Sequence, residues 1–203
     1  MAEPEQQDQP AAAEQAQPEA AAPAAKAAPP PPPGQREPAK PEAAALQAAL
    51  AVAWEGVAYT EAINFGDLEV AVAPDAVYEA CRRCKTVPAL GFDALMLVTG
   101  VDYETAFDVL YHLYSSRHHH RLTIRTRLED YEHAAVASVT PLWPAADWHE
   151  RETAEMLGID FPGHPNLVPL LLEEGVDERP LRKSHGLVEL YSDRPGIVME
   201  PQA

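Results

Sequence analysis

Four short stretches of this chain hold residues that can do chemistry: C-R-R-C at 81–84, S-S-R-H-H-H-R at 115–121, E-R-E at 150–152 and P-L-R-K at 180–183. Cys81 and Cys84 have the spacing of a redox pair or half a zinc site. Zinc needs two further ligands, and the chain has no other cysteine. A redox pair of the thioredoxin type opens a helix after a strand, whereas this pair falls late in a helix-favouring stretch. Reduced thiols on a cytoplasmic helix, with no disulfide, are therefore expected. His118, His119 and His120 are adjacent, a spacing that does not converge on one ion, so a solvated hairpin turn is expected. Glu150 and Glu152 stand two apart on a helix and point away from each other, unlike carboxylates that share a substrate cleft. No nucleophile with a base, glycine-rich phosphate loop or cofactor fingerprint lies nearby. His164 sits between Pro162 and Pro165 in a rigid turn, better placed to bond backbone than to shuttle protons. The expectation is a chain without catalytic residues, bound cofactor or metal.

The elements that position these residues follow from periodicity. An Ala/Leu-rich stretch from Glu42 to Trp54 favours a helix. Asp67 to Ala73 alternates like a half-buried strand, and Pro74 then starts a helix carrying Val77, Ala80, Cys81 and Cys84. Further strands are expected over 92–102, 106–114, 121–128 and 134–140. Consecutive strands at this spacing predict α+β: a small, mostly antiparallel meander with helices on one face. A helix is expected from Trp148 to Leu157, opened by an Asp147/Glu150 capping box and closed by a left-handed Gly158. So short a helix does not hold alone in water, so it must dock. Arg151 and Glu155 have the spacing of an ion pair on that helix.

The domain organisation expected is a disordered Ala/Pro-rich tail over 1–44, an α+β domain over 45–140, and the signature helix with a partner-wrapping arm over 141–203. The tail is dense in proline, with an unbroken run from Pro29 to Pro33 and no aromatic residue. It cannot bury enough apolar surface to offset its ordering entropy. It has almost no basic residues and no apolar run, so no signal or transit peptide is expected. Nor does any stretch approach the roughly 20 apolar residues that span a bilayer. The formal charge of −17 disfavours nucleic acid and direct insertion into anionic lipid. In so acidic a chain the Arg182–Lys183 pair has carboxylates to meet. With Pro180 limiting the backbone and Leu181 as an apolar anchor, Arg182 is expected to make a desolvated contact closing the arm onto a partner.

E-R-E-T-A-E-M-L-G-I-D-F-P-G-H-P-N-L, followed by P-L-R-K, resembles the signature of the respiratory-chain NADH dehydrogenase thirty-kilodalton subunit family. That family is the C subunit of NADH-quinone oxidoreductase, the respiratory complex I. The preceding S-V-T-P-L-W-P-A-A-D-W, the L-Y-H-L-Y-S…R-L-T-I-R hairpin and the terminal G-I-V-M-E-P are also similar. The resemblance covers roughly residues 60–203. It implies a non-catalytic subunit in the peripheral, quinone-module arm of a proton-translocating complex, at the cytoplasmic face of the cell membrane. FMN, iron–sulfur clusters and quinone would lie in partner subunits. The principal partner would be the large quinone-site subunit, a homologue of the hydrogenase large subunit. The signature residues Glu150, Arg151, Glu152, Gly158, Ile159, Phe161, Gly163, His164, Pro165, Pro180, Leu181, Arg182 and Lys183 would serve that interface. The chain departs from the family pattern at Ala154, Glu155, Leu157 and at Ser184, His185 and Gly186. A hydrogenase-like membrane complex is the alternative company for the same fold, and a free C-x-x-C redox protein the alternative from another class.

Overall fold

The structure, a computed structural model, describes residues 40–173 and 175–185. Most of the tail expected over 1–44 therefore lies outside the described residues, as do the end of the arm and the G-I-V-M-E-P stretch. Helix α1 runs Pro41–Ala53, its proline at the first position where no N–H is missed. Its buried residues Ala43, Leu46 and Leu50 recur along one stripe. Two strands follow, β1 (Tyr59–Asn64) and β2 (Asp67–Val72), paired antiparallel with Asn64 opposite Asp67. Phe65 and Gly66 between them both have positive φ, 50° and 79°, the backbone of a tight hairpin turn. The expected strand set lacks β1, whose mixed burial gives no clean alternation.

A 3₁₀ turn (Pro74–Ala76) leads into α2 (Val77–Thr86). Strands β3 (Ala94–Asp102), β4 (Phe107–Ser115) and β5 (His120–Leu128) then form the antiparallel meander expected. The sheet order is β1-β2-β5-β4-β3, so β5 is central and pairs parallel with β2, Val70 opposite Ile124. Leu68, Val70, Phe107, Val109, Tyr111, Leu122 and Ile124 share one core with residues of α1, α2 and α3 (Ala146–Leu157). That core runs from Ala43 to Phe161, so a division at residue 140 does not split it.

The strand expected over 134–140 is not a ladder strand. Its backbone instead bonds the segment after α3: Val136 N donates to Asp160 O at 3.0 Å, Asp160 N to Ala134 O at 2.8 Å, and Ser138 N to Pro162 O at 3.0 Å. The alternating burial of Ala134, Val136 and Ser138 mimics a strand, but here the partner is an irregular segment that brackets α3. Gly100 of β3 lets α3 approach the sheet: a Cβ there would lie 2.4 Å from Leu157 Cδ1 and 3.2 Å from Thr153 Cγ2.

Candidate functional site

The charged stretch is built around α3, and its chemistry is turned inward. Glu150 does not close a capping box. The residue before the helix is Ala145, with no side-chain cap, and Glu150 is fully buried. Its carboxylate accepts hydrogen bonds from Ser138 Oγ at 2.6 Å, Val139 N at 2.8 Å and Thr140 Oγ1 at 3.1 Å. Burial pushes its pKa up; these three donors and His164 oppose that without reversing it. Asp147, the cap expected, faces His164 instead, whose Nε2 lies 3.2 Å from both Asp147 O and Asp147 Oδ1. His164 Nδ1 accepts from Asn166 N at 3.1 Å, so the ring bonds local backbone as expected.

Arg151 and Glu155 do not pair with each other. Arg151 donates to Val168 O and Pro169 O, both at 2.9 Å. Glu155 accepts from the amides of Leu170 (3.1 Å), Leu171 (3.0 Å) and Leu172 (2.6 Å). One helix face thus grips two carbonyls and then three amides of the same loop. Charged partners make these bonds stronger than the surface ion pair they replace. Burial alone would raise the pKa of Glu155, but the amides and Arg151 outweigh it and hold it low.

Gly158 ends α3 with φ 76°, donating to Ala154 O at 2.8 Å as expected. A side chain there would also meet Arg182 Nη2 at 2.9 Å. Ile159 and Phe161 are buried at 1% exposure in the core, while Glu152, Gly163 and Pro165 are exposed. The arm returns at Pro180, and Leu181 N donates to Met156 O at 3.2 Å. Arg182 is half-buried and bonds its own chain: Nε donates to Leu157 O at 2.6 Å. Its guanidinium lies 5.0 Å from the Tyr131 ring and 5.5 Å from Phe107. An orphan carbonyl at the negative end of α3 already offers Arg182 a better acceptor than solvent. Lys183 N donates to Asp102 Oδ2 at 2.8 Å, and Asp102 also holds Tyr131 OH at 3.0 Å and Glu104 N at 2.6 Å. Asp102 and Tyr131, so far from Lys183 in sequence, give no local signal. Ser138 and Thr140 do give one, as hydroxyls inside an apolar run.

Among the side chains this clamped assembly leaves exposed are four large apolar ones. Trp148 is 66% exposed, Leu171 63%, Leu181 61% and Val168 45%.

Cys81 and Cys84 are buried, and burial pushes both thiols up, with Glu150 adding to Cys81 and Cys81 to Cys84. A thiolate is the reactive form, so a redox role is disfavoured. His118 and His119 occupy the hairpin turn and are exposed, as expected, whereas His120 opens β5 and is buried. His118 Nε2 lies 3.0 Å from Pro88 O and His120 Nε2 2.8 Å from Leu90 O, the rings stacked 5.3 Å apart. Burial lowers the pKa of His120, the Leu90 bond opposes this, and His118 lowers it further. The folded chain therefore favours neutral His120. This stability is complete above the ordinary histidine value near 6.5 and is lost as pH falls through the lower folded value. The urea midpoint should drop between pH 7 and pH 5, and drop less in His120→Gln; equal drops would show that His120 is not responsible.

Fold and site together define a class: a five-stranded α+β domain whose C-terminal arm is clamped to a docked helix. The family model described as "Respiratory-chain NADH dehydrogenase, 30 Kd subunit" matches residues 70–189. The C subunit of the NADH-quinone oxidoreductase of Methylobacterium sp. (strain 4-46) is 39% identical over 165 residues, 77% of this chain and 76% of that protein. The protein of the same name from Roseiflexus castenholzii is 40% identical over 121 residues, 58% of this chain and 69% of its own. A chain in the structure of the membrane-bound sulfane sulfur reductase, an archaeal respiratory membrane complex, superposes with a TM-score of 0.65 at 20% identity, over 76% of this chain and 96% of that one. At that identity the likeness is one of fold alone. The chain belongs to the respiratory-chain NADH dehydrogenase 30 Kd subunit family, whose members include the C subunits of complex I. No helix among the described residues is long and apolar enough to cross a membrane.

Proposed function

We propose that this chain is a non-catalytic, assembly-stabilising subunit of the peripheral, quinone-module arm of a proton-translocating NADH-quinone oxidoreductase. It sits at the cytoplasmic face of the membrane without inserting in it. FMN, the iron–sulfur centres and quinone belong to partner subunits. The observation that carries this reading is where the signature's polar groups go. Glu150, Arg151, Glu155 and Arg182 bond this chain's own backbone and hydroxyls, which fixes a shape and displays Trp148, Val168, Leu171 and Leu181 outward. Exposed aromatic and aliphatic side chains on a preorganised surface are the kind of anchors that dominate interfaces. The large quinone-site subunit is the partner this surface fits.

Trp148→Ala combined with Leu171→Asp removes two anchors without touching a buried bond. The isolated double variant should melt within about 1 °C of the parent, since surface changes away from special features cost under about 0.5 kcal/mol. Its recovery with the large subunit after affinity purification should fall at least tenfold, about 1.4 kcal/mol or more. Normal recovery would overturn the reading. Mass spectrometry of what co-purifies with the parent also names the company: hydrogenase subunits without the NADH-oxidising ones would place the chain in the alternative complex.

A further inference from the structure

The sheet has two edges, and they are built differently. Strand β1 is six residues long and carries Glu61, which accepts from Gln47 Nε2 at 2.9 Å. Short length and charged side chains are the usual guards that keep an edge from pairing with another chain. Strand β3 has nine residues, A-L-M-L-V-T-G-V-D, with no lysine, arginine or proline, and its single charge is the terminal Asp102. Its one irregularity, the register shift between Leu95 and Leu97, lies near its start and leaves Leu97 to Asp102 in regular register with β4. Strand β3 ends the strand order, so no strand among the described residues pairs with its outer side. Alternate residues of an antiparallel strand turn N–H and C=O away from their partner, and this edge therefore offers a row of such groups.

The side chains along the edge also suit a neighbour. Met96 is 61% exposed, Leu97 39% and Val101 38%. Beside them a hollow of about 90 Å³ opens between β3 and α3, its walls including Leu97, Thr99, Glu152, Met156 and Leu181. Leu181 also belongs to the exposed apolar surface of the arm, so the two surfaces meet at that residue. Glu152 is exposed and faces no cation among the described residues.

We infer that an extended segment of a partner subunit pairs along the outer edge of β3. It places a small apolar side chain in the hollow and a lysine or arginine against Glu152. Because the free groups are backbone, they call for another extended backbone rather than a helix or a small molecule. In this mode main-chain bonds supply affinity and alternate side chains supply selectivity. A second copy is a poor occupant, since it brings another charge of −17 and no complement to Glu152. The inference rests on the reading of the chain as an assembly subunit and adds to the arm a second point of attachment.

Amide exchange of the full chain, alone and in the purified complex, reads the pairing. Alone, every second amide over residues 97–102 should exchange fast. In the complex those amides should slow by about tenfold or more, while the ones bonded to β4 change little. Leu97→Lys combined with Val101→Lys guards the edge with charge. That variant alone should melt within about 3 °C of the parent, and its recovery in the complex should fall roughly fivefold or more. If it melts lower, the exchange comparison on the parent decides by itself. Glu152→Lys should also lower recovery. Outward amides unchanged on assembly, or normal recovery of a well-folded lysine pair, would overturn the inference. So would amides already slow in the isolated chain: slowing independent of concentration assigns the edge to the chain itself, and slowing that grows with concentration assigns it to a second copy. Loss of the complex in the Trp148/Leu171 double variant with normal recovery of the lysine pair sinks the strand pairing alone. Normal recovery of both sinks the assembly reading with it.

Discussion

Replacing Glu150 with alanine lowers the unfolding free energy of the isolated chain by about 3–5 kcal/mol, and its melting temperature by roughly 10 °C. The carboxylate satisfies three donors in a place water does not reach: Ser138 Oγ, Val139 N and Thr140 Oγ1. Removing it orphans all three at about 1–3 kcal/mol each, tempered by hydroxyls that can turn to other acceptors. The Val139 amide cannot turn. Glu150→Gln keeps the volume and one acceptor, so the expected cost is smaller, about 1–3 kcal/mol for the one donor left unmatched. The two variants separate lost charge from lost bonds. A loss below about 1 kcal/mol for Glu150→Ala in urea titrations, less than a single orphaned donor costs, would show that the joint between α3 and residues 138–140 is not held this way.

Gly100→Val lowers stability by about 2–3 kcal/mol through overpacking. Even a bare Cβ lies 2.4 Å from Leu157 Cδ1, with Thr153 Cγ2 at 3.2 Å and Ile159 Cδ1 at 3.3 Å. Leu157 and Ile159 are themselves buried, at 3% and 1% exposure, so displacing either one disturbs the packing around it. The helix must lift, and with it the loop that Arg151 and Glu155 hold. Gly163→Ala is the control: its φ is 90°, yet nothing lies within 4 Å of the added carbon. It should cost about 1 kcal/mol of backbone strain and leave the arm in place. A milder loss in Gly100→Val than in the control would refute the close approach.

How much the sequence discloses depends on how local the cause is. Strict alternation locates β5, and the helix with its left-handed Gly158 is legible because its signals sit within one element. Strand β1 escapes because its recognition lies in a Phe-Gly turn rather than in its own pattern. Residues 134–140 imitate a strand because they alternate, but alternation reports burial and not the partner. In the candidate site, charge density draws attention to the stretch but misleads about its bonds. Glu150 resembles a cap, and Arg151 a partner for Glu155, because both readings use neighbours on the helix. The actual acceptors and donors come from residues 138–140 and 168–172, brought in by the chain bracketing α3. Arg182 is desolvated in part, as its context implies, but the carbonyl of Leu157 is an acceptor that no sequence spacing announces.

The central position of β5 sets the order in which this chain can become a protein. Strand β2 leaves the ribosome early with only the β1 hairpin beside it, and its other neighbour, β5, is synthesised after α2, β3 and β4. Until residue 128 has emerged, Leu68 and Val70 have no strand on their inner side, and the apolar stripes of α1 and α2 have no complete sheet to cover. A two-stranded hairpin is marginal in water, so no stable N-terminal half exists to fold first. Closure waits for one long-range pairing, the slow kind of step. The nascent subunit is thus exposed to proteases and chaperones for most of its synthesis, then folds as a single unit once its middle strand arrives.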